Sequence, residues 1–274
     1  MRTELASILS DGMSVAECVD PDALHRCTTR RPLSDISRIE WHMVGELHIL
    51  GKDSGVRYYS DGLEAGCYLD QSGTWALVID ANRSQIDDII NRCGNRLRVL
   101  DLRFGGMQKL SLHDRLHNLQ TLKLSPIPQL REIEGLSALS RLRELDLSFS
   151  FVGSRIDLTE LQSLVRLELA GNSELAQIDG ISRMCCLEEL DLSGTAIGKD
   201  LDLSGFRSLR RLRLVDTRKL ERLYGLGNNP NLTHVDLACS GIRRIPNDAR
   251  ELQNLVQLDL SNLMLEELRT GFRS

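Results

Sequence analysis

The sequence predicts a solenoid of the α/β class, in which short parallel strands stack into one curved sheet and return segments cover the opposite side. Two observations predict it. A six-residue pattern, LxxLxL, occurs eight times at intervals of 22 or 23 residues between Leu97 and Leu260, once with valine at its fourth position. The 274 residues are 41% hydrophobic but only 4% aromatic, so leucine must supply most of the core.

Each copy of the pattern has the alternation of a strand with one buried face. Leu145 and Leu147, for example, flank the polar Asp146. Because the strands return in one direction at a constant interval, they form a parallel sheet whose inner face the return segments must cover. The copies begin at Leu97, Leu119, Leu142, Leu164, Leu187, Leu209, Leu232 and Leu255.

From about Leu97 onward the chain resembles the leucine-rich-repeat family, and the resemblance implies a horseshoe-shaped solenoid with a concave parallel β-sheet. The family usually has asparagine three residues after the last strand leucine, where its amide binds backbone groups of neighbouring turns. Serine and threonine can make a weaker version of these bonds, whereas Gly105, Ile127 and Leu263 cannot, so we expect irregular turns there. The eight residues at this position are Gly105, Ile127, Ser150, Asn172, Thr195, Thr217, Ser240 and Leu263.

The return segments alternate between two types, so the unit of duplication is a pair of repeats. One type carries a glycine that recurs every 45 residues, at Gly135, Gly180 and Gly225. It resembles the short repeats of the phosphatase-1 regulator type, which implies a brief helical turn. The other type carries LSL, IDL or LDL, an alternation that favours a small extended segment.

The chain divides into three predicted parts. Residues 1–34 are a loosely held lead-in, residues 35–96 an N-terminal capping subdomain, and residues 97–274 about eight repeats. Within the cap, isoleucines at helical spacing predict a helix over 84–92, and 74–79 is a strand that could belong to a degenerate ninth repeat. We also expect two hairpins, one pairing 46–50 with 56–59 and one turning at the DQSG that follows GCYL.

The C-terminal side lacks an evident cap. After the last copy the chain continues through Leu263, Leu265 and Leu268 to Ser274 without an amphipathic helix or polar repeat. Stacked repeats expose apolar edges. We therefore expect either that the natural chain continues beyond Ser274 or that a partner covers this edge.

Charge and hydropathy favour a cytoplasmic protein that binds neither nucleic acid nor membrane. The net charge is −5, from 34 basic and 39 acidic residues, whereas both of those partners require clustered positive charge. No apolar run reaches the length of a membrane span, and the first residues lack the pattern of a secretory signal.

The seven cysteines are odd in number and have no CxxC spacing, which predicts reduced thiols. For Cys185 and Cys186 we expect packing as small apolar groups, with a reactive thiol as the alternative.

The common catalytic motifs are absent, so we expect no enzyme and no cofactor or metal. His113 and His117 are four residues apart and could be metal ligands, but a zinc site would need further ligands and only Asp114 is near in sequence, so we favour a solvated convex surface. An enzymatic alternative would need an unfamiliar site around His42, His48 and Cys67, which occur without recognisable spacing.

The concave face carries charged side chains at the third and fifth positions of the strands. At the third position Glu144, Arg166, Glu189 and Arg211 alternate in sign and should form a ladder across neighbouring strands. Such a ladder could satisfy itself or be used by a partner, and both interpretations stay open. The fifth position reads Asp101, Lys123, Asp146, Glu168, Asp191, Arg213, Asp236 and Asp259.

The eighth position places apolar residues at one margin of this face. Phe104, Pro126 and Phe149 follow three successive strands. Exposed apolar clusters are enriched at interfaces, and Lys123, Arg143 and Glu144 could supply a polar rim. The alternative is that the cap or the descending loops already bury these rings.

Together these patterns favour a non-catalytic module that recognises another protein through its concave face and forms part of a larger protein. The alternative is a structural scaffold that assembles through its solenoid ends. The residues expected to bind the partner are Phe104, Lys123, Pro126, Arg143, Glu144, Asp146, Phe149, Arg166, Glu168, Glu189, Asp191, Arg211 and Arg213.

Overall fold

The computed structural model describes residues 47–49, 58–60, 63–65, 67–70, 74–79, 83–103, 107–112 and 114–265. In these ranges the chain forms nineteen strands and one α-helix, α1 (Arg83–Cys93); its other helical segments are 3-10 turns at Asp114–Leu116, Leu136–Ala138, Ile181–Arg183 and Asn247–Glu251. No helix of the described residues is long and apolar enough to cross a membrane.

The main sheet contains eleven strands. Nine of them are parallel, and each pairs with the strand of the next repeat, so that like positions of the sequence pattern face each other. The parallel strands are β5 (Trp75–Ile79), β6 (Val99–Arg103), β8 (Thr121–Lys123), β10 (Glu144–Asp146), β12 (Arg166–Glu168), β14 (Glu189–Asp191), β16 (Arg211–Arg213), β18 (His234–Asp236) and β19 (Gln257–Asp259). This arrangement confirms the predicted parallel solenoid.

The core is a continuous column of leucine. In β10 the central Leu145 is buried while Glu144 and Asp146 on either side are half-buried, and β12 and β14 repeat this pattern. The sixth-position leucines of the first seven copies, such as Leu147 and Leu169, are fully buried. One hydrophobic cluster extends from Ala76 to Ala249, so each repeat completes the core of its neighbours.

The convex side contains three separate two-stranded parallel sheets. They join β7 (Lys109–Ser111) to β9 (Glu132–Glu134), β11 (Arg155–Asp157) to β13 (Gln177–Asp179), and β15 (Asp200–Asp202) to β17 (Arg222–Tyr224). The predicted pairing of repeats is confirmed. The glycine-bearing half differs from the prediction, because a strand precedes its helical turn and supplies the partner for the extended half.

Two of the recurring glycines begin the 3-10 turns in a left-handed conformation, Gly135 at φ 80° and Gly180 at φ 84°. A Cβ at either position would also overlap the backbone of the preceding repeat, at Leu112 and Thr159 respectively. Glycine is therefore required here both for conformation and for the close approach of neighbouring turns.

The family's asparagine position works as expected where a polar side chain is present. The Asn172 amide donates to the carbonyls of Leu147 (2.9 Å) and Leu169 (2.8 Å) and accepts from the Val152 N–H at 3.2 Å. Thr195 and Thr217 each donate to one carbonyl, at 2.6 and 2.7 Å, and Ser150 donates to the Leu124 carbonyl. The buried Ser240 hydroxyl has no partner.

Of the three turns expected to be irregular, Gly105 lies outside the described residues. The turn at Ile127 lacks the left-handed residue found before the other positions, because the ring of Pro126 holds φ negative. At Leu263 the prediction is wrong: Asn262 precedes it at φ 56°, as in the regular turns.

The N-terminal part agrees partly with the predicted cap. Helix α1 is confirmed, with Ile86, Ile89 and Ile90 buried, and β5 lies parallel to β6. The hairpin of β4 (Cys67–Asp70) with β5 is also confirmed. Residues 1–34 lie outside the described residues, and the limits of the three predicted parts stay a prediction.

The other predicted hairpin is wrong. Strand β1 (Leu47–Ile49) pairs antiparallel with β4, and β2 (Tyr58–Ser60) pairs instead with β3 (Leu63–Ala65). The physical reason is the short connection between β2 and β3. Only Asp-Gly, a preferred two-residue hairpin sequence, separates these strands, so they pair with each other and the edge of β4 is left open to β1.

At the other end, β19 is the last strand of the sheet. Leu258 and Leu260 are only half-buried there, and Val256 and Met264 are 77% and 89% exposed. Leu268 lies outside the described residues.

Candidate interaction surface

The concave face displays the predicted columns in register. Glu144 pairs with Thr121 on one side and Arg166 on the other, and Asp146 pairs with Lys123 and Glu168. Since neighbouring strands are about 4.8 Å apart, side chains of one column are in direct reach of each other.

The third column is a continuous ion-pair ladder. The Arg166 guanidinium lies 3.1 Å from a Glu144 oxygen and 3.0 Å from a Glu189 oxygen, and Arg211 lies 3.3 Å from the other Glu189 oxygen. Burial lowers the pKa of Arg166, but the bonds to Glu189 and Glu144 outweigh it and leave that pKa raised. The alternating ladder is confirmed, and its central charges are already partnered within the chain.

The fifth column has a structural task that the sequence analysis missed. One carboxylate oxygen of its aspartates accepts the N–H of the residue two positions later: Ser148 to Asp146 at 2.9 Å, Ser193 to Asp191 at 2.9 Å and Ala238 to Asp236 at 3.1 Å. Each bond closes an Asx turn that ends the strand. The sequence signal for this turn was an aspartate in alternate strands with serine or alanine two residues after it.

The middle of the fifth column carries negative charge that the chain does not fully compensate. Burial raises the pKa of the Asp146 carboxyl above its ordinary range. Burial also raises the pKa of Glu168, and the neighbouring Asp146 carboxylate raises it further. Lys123 lowers both pKa values only in part, and Arg213 approaches Asp191 at 3.7 Å. A cation placed over this column would be favoured.

The fifth column differs at its start. Asp101 and Arg103 are both buried, and the guanidinium of Arg103 donates two hydrogen bonds to the Asp101 carboxylate, at 2.8 and 2.7 Å. The negative charge of Asp101 is therefore paired with the positive charge of Arg103 in the same strand.

The eighth position is the left-handed residue of the turn that follows the strand in six of the eight repeats, from Phe149 to Asn262. The conformation is occupied by Gly171 and Gly194, and also by side chains that disfavour it: Phe149, Asp216, Cys239 and Asn262, with φ between 56° and 58°. Left-handed φ costs a residue with a side chain roughly 1–2 kcal/mol. In the sequence, only the two glycines indicate this requirement.

Phe149 is exposed at this margin. Its side chain is 56% accessible, and its ring lies against Gly171, where an added Cβ would overlap it. The next eighth-position residue is Gly194, so the surface beside the ring is backbone without side chains. The alternative that loops bury this ring is therefore wrong for Phe149.

The other margin residues are distributed as follows. Phe104 and His113 lie outside the described residues. Pro126 is half-buried. Arg143 precedes β10 whereas Phe149 follows it, so the two lie at opposite margins of the sheet and Arg143 is not a rim for the Phe149 ring.

Within the described part of the chain, no three histidine, cysteine or carboxylate side chains come together as a metal site. The concave face and its margin present charged side chains, the Phe149 ring and exposed backbone, and these groups can bind another molecule.

No protein-family model matches the sequence, and no curated protein sequence matches it either. Solved structures, by contrast, do match the chain. Internalin C2 from Listeria monocytogenes matches with a TM-score of 0.54 and 20% identity, over 65% of this chain and 77% of that one. A Leptospira interrogans leucine-rich-repeat protein matches with a TM-score of 0.49 and 17% identity, over 67% of this chain. This chain spans 46% of the length of the Leptospira protein.

The internalin match and the 22- to 23-residue register of the strands establish the fold. The chain has the leucine-rich-repeat fold. Its resemblance to the phosphatase-1 regulator type stays a prediction.

Proposed function

We propose that this protein is a non-catalytic module that binds another protein through its concave face, at the margin formed by Phe149, Gly171 and Gly194 and the acidic fifth column beside it. The observation that carries the proposal is Phe149, a large apolar side chain that is 56% exposed and held in a left-handed conformation. Backbone strain that persists on a surface is typical of functional positions.

The charges beside the ring define the chemistry of the partner. Asp146 and Glu168 lie on adjacent strands; burial raises the pKa of both carboxyls, and the charge of Asp146 raises that of Glu168 further. A lysine or arginine of the partner would relieve both. The partner segment we propose is therefore extended, with an apolar side chain against the Phe149 ring and a basic side chain over the fifth column.

The third column has a different role in this proposal. Because Glu144, Arg166, Glu189 and Arg211 already pair with one another, they gain little from a partner. They stabilise the strands that present the fifth column. The residues proposed to touch the partner are Lys123, Pro126, Asp146, Phe149, Glu168, Asp191 and Arg213.

Selection of a random peptide library on the immobilised protein tests the proposal. We expect enriched peptides that combine a large apolar residue with lysine or arginine, and we expect Phe149→Ala to lose their binding. Tyr224→Ala is the matched control, since Tyr224 is an aromatic residue with 46% exposure on the convex strand β17. Enriched peptides that bind Phe149→Ala as well as the unmodified protein would contradict the proposed site.

We also propose that the module acts within a larger protein and in the cytoplasm. The second point is supported by the free thiols at Cys93, Cys185, Cys186 and Cys239.

One observation supports the alternative of a scaffold. The β19 edge carries the exposed Val256 and Met264 beside half-buried leucines, and an open strand edge with apolar neighbours favours association. Light scattering over a wide concentration range separates the two functions. Assembly that grows with concentration and is lost in Val256→Lys would favour the scaffold, whereas a constant mass would not.

A further inference from the structure

Two adjacent cysteines form an exposed pair on the edge of the solenoid. Cys185 and Cys186 are the central residues of a turn that the Leu187 N–H closes on the Met184 carbonyl at 3.1 Å. Both side chains are exposed, and their sulfur atoms are 3.9 Å apart. The prediction that they pack as small apolar groups is wrong, because Met184 and Leu187 take the buried positions on either side.

The separation of the two sulfur atoms matches the distance between two thiolates that are bound to the same metal ion. A tetrahedral ion with metal–sulfur bonds of about 2.3 Å holds two thiolates about 3.8 Å apart. The two sulfurs therefore need almost no movement to share one ion.

We propose that Cys185 and Cys186 form a two-thiolate site for a soft divalent metal ion such as Zn²⁺ or Cd²⁺. Each metal–sulfur bond replaces one S–H bond, so one bound ion releases two protons and involves no change of oxidation state. Water completes the coordination, since in the part of the chain that the structure describes no third cysteine, histidine or carboxylate joins the pair.

Binding should depend on pH, because the ion displaces the two thiol protons and its affinity therefore increases as the pH rises. The pair lies before β14 and outside the third and fifth columns, so this site is independent of the proposed protein interface.

Titration of the reduced full chain with Cd²⁺ tests the site, read by the ultraviolet sulfur-to-cadmium absorption and by the mass of the native complex. We expect saturable binding with the mass of one ion less two protons. Cys185→Ser and Cys186→Ser should each lose it. The matched control is Cys239→Ser, which removes an exposed thiol from another turn and should retain it.

Two outcomes would overturn the site. One is binding in either Cys185→Ser or Cys186→Ser that equals that of the unmodified chain, which would locate the ion elsewhere. The other is no saturable thiolate absorption in the unmodified reduced chain at any pH up to the thiol pKa. Circular dichroism of each variant establishes that it is folded, as expected for exposed positions.

Discussion

Phe149 combines two unfavourable properties, an exposed ring and a left-handed backbone. Glycine occupies the equivalent position in the two following repeats without either cost. The ring partly compensates by covering Gly171, which has no Cβ in its way. At the scale of the residue, this pairing of a phenylalanine with a glycine is the feature that most distinguishes the margin from a uniform repeat surface.

Alanine substitution of Gly171 and Gly194 tests the contact between the Phe149 ring and Gly171. Gly194→Ala should cost roughly 1–2 kcal/mol of unfolding free energy, because its φ is positive, while the new Cβ would make only an ordinary van der Waals contact with the Gly171 backbone. Gly171→Ala should cost about 0.5–1.5 kcal/mol more, because the new Cβ displaces the Phe149 ring. Urea unfolding of both variants in the Phe149→Ala background completes the test. The extra cost should vanish there, and equal losses at both glycines would refute the contact.

Two substitutions of Asp146 separate the structural role of the fifth column, which is to close the turn, from the effect of its charge. Asp146→Asn keeps the oxygen that accepts the Ser148 N–H and removes the disfavoured charge, so it should not reduce stability at neutral pH. Asp146→Ala loses the turn bond and should cost about 1 kcal/mol.

The pH dependence of the Asn variant has a definite sign. The folded-state pKa of Asp146 is raised, so the ionised carboxylate destabilises the fold above that pKa, and the cost disappears as pH falls and both states become protonated. The stability advantage of Asp146→Asn should therefore be largest at neutral pH and decline towards acid. An advantage that grows as the pH falls would contradict the assignment.

At the scale of the element, the turn after β12 depends on the buried side chain of Asn172. Asn172→Ala removes three hydrogen bonds and leaves buried backbone groups without partners, and should cost roughly 2–4 kcal/mol. Ser240→Ala is the control at the same repeat position. Its hydroxyl has no partner, so its loss should change stability by less than about 0.5 kcal/mol. Thermal unfolding of the two variants measures the contrast, and similar losses would mean that the turns do not depend on this side chain.

Periodicity explains which elements the sequence could predict. The strands, their register and the paired return segments recur at constant intervals, so each copy supports the interpretation of the others. Leu145 and Leu147 are buried as predicted. The third-column ladder followed from the same register.

Features without a period were missed for physical reasons. The pairing of β1 with β4 joins segments of the chain that no local pattern links. The left-handed conformation at the eighth position does recur with the repeat, but only Gly171 and Gly194 indicate it, because Phe149 and Cys239 are residue types that avoid it. The exposure of Cys185 and Cys186 depends on a turn of a few residues, which is too short to carry a hydrophobic pattern.

At the scale of the whole molecule, stability should decrease from the centre of the solenoid towards β19. A repeat contacts mainly its two neighbours, and among the described residues β19 has a sheet partner on one side only. Its central Leu258 is half-buried, whereas Leu167 of β12 is fully buried. Hydrogen exchange should therefore be faster for the amides of β19 than for those of β12 and β14. Uniform exchange across these strands would indicate a single cooperative unit.

For the whole molecule, we propose that one margin of the concave face binds the partner and that the convex strand β17 and the β19 end do not. Photo-cross-linking tests this most directly, with benzoylphenylalanine introduced singly at positions 149, 224 and 256 and the protein exposed to native lysate. The account predicts a covalent adduct with a distinct protein from position 149 and none from position 224 or 256. Adducts from position 256 alone would contradict it and place recognition at the end of the solenoid.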